Sequence, residues 1–264
     1  MQWAPSLIAG LVRAGFRVVT MDNRAVGLSF CHSAPAPSLD TLLAAMSSPE
    51  TLDARYSLTD MAADVRDLLN HIGQSGAHVL GVSMGGMIAQ RLAIHHPERV
   101  FSLTSVMSNT GNPELPKPDA DAVQALATSV MQTTRESYIE SATHACRVLG
   151  GPHYDSRELG IGRFIEVAYD RCHRADGVAR QFAAILCEPD RRPQLRKLDI
   201  PVLAVHGSAD RLVDPAGSKD LVDNMPNGRL EMWIASGHQP HPMSSSRASG
   251  LSNSFFRMWF AFCC

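Results

Sequence analysis

The chain has 264 residues, 45% of them hydrophobic, and a formal net charge of -2 with neither a basic run nor an acidic tail. It is long enough to bury a substantial core, and its near-balanced charge argues against nucleic acid as a partner. Cysteines at 31, 146, 172, 187, 263 and 264 show no C-x-x-C spacing and are too sparse for a disulfide scaffold, so reduced thiols, a cytoplasmic location and no metal site are expected.

Trp3, Leu7, Ile8, Leu11 and Val12 recur at spacings of three and four, which predicts a short helix stopped by Gly15. Its surroundings lack a basic n-region and carry Arg13, unlike a secretion signal. Arg17 to Asp22 reads as a strand running into a turn at Gly27, with Asp22 and Arg24 expected to brace that turn. From Cys31 to Tyr56 the chain is rich in Ser, Pro and Ala without periodicity, as in a loop. A helix follows, with Thr59 as its expected cap and Met61, Val65, Leu68, Leu69 and Ile72 as its buried face.

Residues 77–90 then run Ala-His-Val-Leu-Gly-Val-Ser-Met-Gly-Gly-Met-Ile-Ala-Gln. An apolar strand ends at Ser83 and a helix-forming run begins at once, with Gly81 and Gly85 two residues either side of the serine: G-x-S-x-G in the strand–turn–helix context that gives it meaning. A turn that sharp strains the serine backbone and lifts its hydroxyl clear of the sheet edge, where the helix N-terminus favours a developing anion. His95 and His96, in the last turn before Pro97, read as structural.

Val100 to Met107 is another strand. Residues 113–190 carry helical patterns at 119–131, 134–148, 157–170 and 175–187 with no convincing strand between them, so a helical cap inserted after a strand end is expected, supplying most of a substrate pocket. His144, His153 and His173 lie in it without metal-ligand spacing and read as surface residues. The sheet resumes at 201–207. Of the two acids that follow, Asp214 directly precedes Pro215 as a helix cap would, leaving Asp210 free to reach a histidine. His206, inside a strand, reads as a hydrogen-bonded core residue; Arg229 to Ile234 is a last strand, and His238 sits in the loop leaving it. No stretch of about 18 apolar residues would span a bilayer.

Ser83, Asp210 and His238 thus stand in nucleophile–acid–base order, each just beyond a strand's carboxyl end. A serine hydroxyl needs a base to take its proton as it attacks. His238 suits that role, Asp210 would hold its tautomer, and the backbone N–H of Met84 would meet the oxyanion.

Asp22-Asn23-Arg24 with Gly27 and Ser29, residues 81–86, His96-Pro97-Glu98-Arg99-Val100, residues 206–210 and Gly237-His238 together resemble the α/β-hydrolase superfamily. Within it they are most similar to bacterial esterases related to polyketide methyl esterases and cofactor-free perhydrolases. The resemblance implies an α/β fold, a mostly parallel sheet flanked by helices, with core at 1–112 and 191–264 and a helical cap at 113–190. It implies hydrolysis of a small to medium carboxylic ester through an acyl-enzyme, with no cofactor or metal. Perhydrolase or haloperoxidase-like activity, or a catalytically weak ligand-binding protein, are the alternatives. Family members carry further strands and a His-Gly loop ahead of the position of Trp3, and that loop donates the second oxyanion N–H. Here the second donor is unknown: either the sequence is truncated or Met1 and Gln2 supply a makeshift one. The sheet edge those strands would cover is an expected route to a homodimer. Residues 255–264, rich in aromatics and closing on Cys263-Cys264, are expected to dock on the sheet as a helix.

Overall fold

The computed structural model describes residues 3–33, 35–151, 161–238 and 258–262. Its strands are β1 (Arg17–Thr20), β2 (Ala77–Val82), β3 (Val100–Val106), β4 (Val202–Gly207), β5 (Gly228–Trp233) and β6 (Met258–Phe262). They form one sheet in the order β1-β6-β2-β3-β4-β5, every neighbouring pair parallel.

Parallel strands are covered on both faces, and the side chains alternate accordingly. Val79 and Leu103 join one core with Leu58, Met61, Val65 and Leu69 of α3 (Leu58–His71) and Met87, Ile88 and Leu92 of α4 (Met84–His95). Leu80, Val82, Val106 and Val205 point the other way, onto Trp3 and Leu11 at α1 (Pro5–Arg13). The N-cap of α3 is Ser57 rather than Thr59: Ser57 Oγ accepts from Asp60 N while the Asp60 carboxylate accepts from Ser57 N, a reciprocal capping box. The stretch read as a loop contains α2 (Leu39–Ala45), capped by Ser38, whose Leu42 buries against Ala179 and Ala183. Only two of its seven positions are buried, too weak a stripe to show in the sequence.

The aromatic tail departs most from expectation. Met258–Phe262 is a strand, not a helix, inserted between β1 and β2. Without it, both facing edges would leave rows of N–H and C=O groups unpaired. A short continuous apolar run fits a buried parallel strand as well as a helix, and periodicity cannot separate the two. The rest of the tail and Met1 and Gln2 lie outside the described residues.

Between β3 and β4 come α5 (Ala120–Val130), α6 (Arg135–Leu149), α7 (Ile161–Cys172), α8 (Ala175–Leu186) and α9 (Arg192–Leu195), without a strand among the described residues. His153 lies outside those residues. His173 is no solvated surface group: its ring stacks on Tyr169 and its Nε2 meets Gln132 O at 3.0 Å. This segment leaves and re-enters the sheet at one stapled point. Arg191, fully buried, donates to Gln90 Oε1 on α4, to Glu188 Oε1 and to Asn109 O, and its own N–H meets Thr110 O.

Asp22 braces the turn as expected, its Oδ2 accepting from Leu28 N at 3.1 Å, but it does not pair with Arg24. Backbone reversals at Ala25 (φ 72°) and Gly27 (φ 56°) send them to separate partners. Arg24 makes a two-pronged pair with Asp64 of α3, and Asp22 one with Arg171 of α7 at 2.6 and 3.0 Å. Burial pushes the Asp22 carboxyl up, but Arg171 and the Leu28 N–H outweigh it and hold it at about 2. A carboxylate depressed in the fold stabilises fully above about pH 4 and loses that contribution as pH falls through its folded value. Arg171→Ala is therefore expected to cost about 1–2 kcal/mol at neutral pH. It should also flatten the loss of stability between about pH 4 and 2, read from urea unfolding midpoints across that range.

Candidate active site

Ser83 occupies a backbone conformation that L-residues avoid, φ 53° and ψ −119°. The turn is imposed from both sides: Ser83 N donates to Val106 O at 2.8 Å, tying it to β3, while Ser83 O accepts from Gly86 N at 2.9 Å, which starts α4. Only glycine fits two residues earlier, because a Cβ on Gly81 would overlap the Gly85 carbonyl and stand 2.6 Å from Gly86 N. The amide of Met84, first of the helix, donates to no acceptor among the described residues and is free for an incoming oxygen. Met1 and Gln2, one of the two alternatives for the unknown second donor, fall outside those residues.

Ser83 Oγ lies 3.0 Å from His238 Nε2, and His238 Nδ1 lies 2.6 Å from Asp210 Oδ2. A carboxylate can only accept, so Nδ1 carries the proton and Nε2 offers its lone pair to the hydroxyl. The three sequence-predicted side chains therefore meet in one chain of hydrogen bonds. Asp210 and His238 are 7% and 8% exposed, whereas Ser83 is half-buried, so only the serine end opens toward solvent.

The Asp210 carboxylate is saturated with donors. Its Oδ1 accepts from Leu212 N and Val213 N, both at 2.9 Å, and its Oδ2 accepts from His206 Nε2 at 3.1 Å as well as from His238. Burial pushes the carboxyl up, but hydrogen bonds from His206 and His238 prevail and hold it well below the usual carboxylate range. Asp214 takes the capping role expected of it, its Oδ1 accepting from Ala216 N at the start of α10 (Ala216–Asp223). His206 is the contributor that sequence reasoning placed in the core without connecting it to the site. It is fully buried, and the signal available was its spacing of four from Asp210 across a strand end.

The histidine loop is laced to its neighbours. Ser208 N donates to Trp233 O and Ala209 N to Ser236 O, binding the Asp210 loop to the His238 loop. From the other side, Gly237 N donates to Gly150 O at 3.0 Å and His238 N to Leu149 O at 2.7 Å, so the end of α6 holds the base through two successive amides. No group of three or more metal-ligating side chains occurs among the described residues, nor does a helix long and apolar enough to cross a membrane. Cavities of about 440 and 560 Å³ lie elsewhere, one along α6 and the other beside Tyr56, Arg91 and Cys187.

Comparison with known proteins bears on the family and the fold. A family model described as alpha/beta hydrolase fold matches residues 1–242. A pimeloyl-[acyl-carrier protein] methyl ester esterase of Aeromonas hydrophila is 32% identical over 213 residues, 74% of this chain and 76% of the relative. A 3-oxoadipate enol-lactonase of Acinetobacter baylyi is 31% identical over 184 residues, 69% of this chain and 64% of its own length. Among solved structures, the enol-lactonase from Burkholderia xenovorans LB400 superposes with a TM-score of 0.63 at 21% identity, covering 88% of this chain and 79% of that one. At that identity the superposition speaks to the fold alone.

The contact between α6 and the histidine loop can be broken at one atom. A Cβ on Gly237 would collide with Leu149 O and lie 2.6 Å from Gly150 C, both of them backbone. Gly237→Ala is expected to destabilise the chain by about 1–3 kcal/mol, the usual cost of overpacking, seen as a lower urea midpoint with unchanged m-value.

Proposed function

The chain belongs to the α/β-hydrolase fold family, and on that premise we propose that it is a serine-dependent carboxylic ester hydrolase acting on small to medium esters through an acyl-enzyme. The observation that carries this reading is the continuous hydrogen-bonded run from Ser83 Oγ through His238 to Asp210, with the hydroxyl at its open end. Relatives named as esterase and lactonase support the reaction class.

The steps follow from the proton positions. Ser83 Oγ attacks the ester carbonyl carbon while His238 Nε2 takes the hydroxyl proton, and the new imidazolium is stabilised by the ionised Asp210 beside Nδ1. Charge moves onto the carbonyl oxygen, which meets the Met84 N–H at the positive end of α4. Collapse of the tetrahedral adduct breaks the C–O bond to the alcohol, which leaves with the proton from Nε2. Water then attacks the acyl-serine by the same route, releasing the acid and restoring both Ser83 and the neutral imidazole.

The test is hydrolysis of short and medium p-nitrophenyl esters beside Ser83→Ala and His238→Ala, with fluorophosphonate labelling of the serine as a second readout. The parent is expected to turn over and to label, and both variants to fall to background. Asp210→Asn should lose about 10⁴-fold in kcat, because an amide cannot enforce the Nδ1–H tautomer. A folded parent indifferent to Ser83→Ala would sink the proposal.

A further inference from the structure

A second imidazole stands behind the acid. His206 Nε2 lies 3.1 Å from Asp210 Oδ2 and 2.9 Å from Val213 O, and its Nδ1 lies 2.7 Å from Ser218 Oγ. All these groups are deeply buried: His206 and Ser218 have no exposed surface, and the Asp210 side chain has none either. The run of contacts therefore does not end at the acid. It continues Ser83–His238–Asp210–His206–Ser218, from the open elbow into the packing between β4 and α10.

The partners fix one proton of this run and leave a second to the Ser218 hydroxyl. Nε2 of His206 faces two oxygens, a carboxylate and a backbone carbonyl, that accept and never donate, so Nε2 carries a proton. Among the described residues Ser218 Oγ is the group at Nδ1, and a hydroxyl can donate to a bare ring nitrogen or accept from an Nδ1–H. With Ser218 donating, His206 is neutral, with its proton on Nε2 alone. Neutrality matters for the reaction proposed above. A cationic His206 would neutralise Asp210 in advance, and the imidazolium forming at His238 would lose its counter-charge. A neutral donor leaves the carboxylate charge in place while fixing which oxygen faces His238.

We propose that His206 is a positioning residue that acts through Asp210: it locks the carboxylate rotamer and, by sharing Oδ2, moderates how strongly Asp210 draws charge onto His238. The proposal rests on the ester-hydrolase reading for its kinetic consequence, but its hydrogen-bond content stands independently. Other charged side chains on the packed elements are engaged elsewhere. Arg211 pairs with Asp119 and Asp121, Asp214 accepts at Ala216 N, Asp220 is bonded to Thr110 and Asn112, and Lys219 pairs with Asp223. Among the described residues, the immediate shell of Asp210 thus consists of the two imidazoles and two amides. A donor removed from His206 leaves more of the carboxylate charge for His238, which favours the imidazolium.

The experiment combines ¹⁵N NMR of the histidine rings with pH–rate profiles of the full chain and of His206→Phe and His206→Gln. In the parent, His206 is expected as the neutral Nε2–H tautomer, with Nδ1 bare. His206→Phe should move the acidic limb of kcat/KM upward by about half to one pH unit. It should also lower kcat by about 10- to 100-fold, the scale of a small misplacement of a catalytic group, with KM changed by no more than about threefold. His206→Gln, which keeps an N–H donor of similar reach, should recover much of both. A purely structural role would lower stability or rate without moving the limb, and an unmoved limb in folded His206→Phe overturns the proposal. So does a parent spectrum showing His206 protonated on Nδ1, a measurement that stands even where the Phe variant fails to fold. If the parent shows no Ser83-dependent turnover, the ester reading fails. The Nδ1–H resonance of His238 then decides this proposal: a shift in His206→Phe supports it, and an unchanged position overturns it.

Discussion

A single strained residue governs the site. Ser83 is held at a φ and ψ that cost roughly 1–3 kcal/mol, and such strain persists only where surrounding structure over-determines it. Here β2 is hydrogen-bonded on both sides, to β3 and to β6, and α4 is buried along nearly its whole length. Strand and helix are each fixed by their own packing, and the one residue between them takes up the mismatch in direction. Relaxing the turn would require moving one of two elements that the core does not release. The hydroxyl consequently stands where geometry puts it, whatever its own conformational preference.

The remaining side chains reach that hydroxyl from other strands, and their loops are tied to each other rather than only to the sheet. The Asp210 and His238 loops exchange backbone hydrogen bonds across the ends of β4 and β5, and α6 closes on the histidine from outside. The helical segment carrying α6 is anchored at its root by Arg191, whose guanidinium is satisfied on all sides by Gln90, Glu188 and Asn109. Burial lowers the affinity of that guanidinium for its proton, which Glu188 opposes. Removing one partner from such a cluster is far costlier than the cluster's net worth. The helical segment is thus fastened to the sheet both where it departs and where it meets the base.

What the sequence disclosed follows from how local each signal is. Gly81, Ser83 and Gly85 announce a turn because steric exclusion acts within five residues, and Asp210 separates from Asp214 because proline after an acid marks a helix start. Helices α5, α6 and α8 were legible to within a residue or two from apolar spacing. Where reading failed, the deciding partner was distant in sequence. Asp22 and Arg24 looked like each other's counter-ions, but Arg171 and Asp64 offered two-pronged geometry that neighbours two residues apart cannot. The capping box at Ser57 was local and could have been found by testing Ser-x-x-Asp before Thr59. His206 reads as a hydrogen-bonded core residue and no more, because strand alternation shows which residues are buried, not which oxygen a ring nitrogen will meet.

β6 has a consequence for how this molecule comes to exist. A strand drawn from residues 258–262 lies between partners drawn from 17–20 and 78–81, so the interior of the sheet pairs the two most distant parts of the described chain. Pairings of such separation are the slow part of folding. During synthesis, β1 and β2 must wait for their common neighbour while the rest of the sheet, β2 through β5, already has its partners. For that interval both open edges can accept any extended segment, including one from another nascent chain. The yield of native molecules is then a contest between intramolecular closure and crowding on the ribosome, and slower, cooler expression tilts it toward closure.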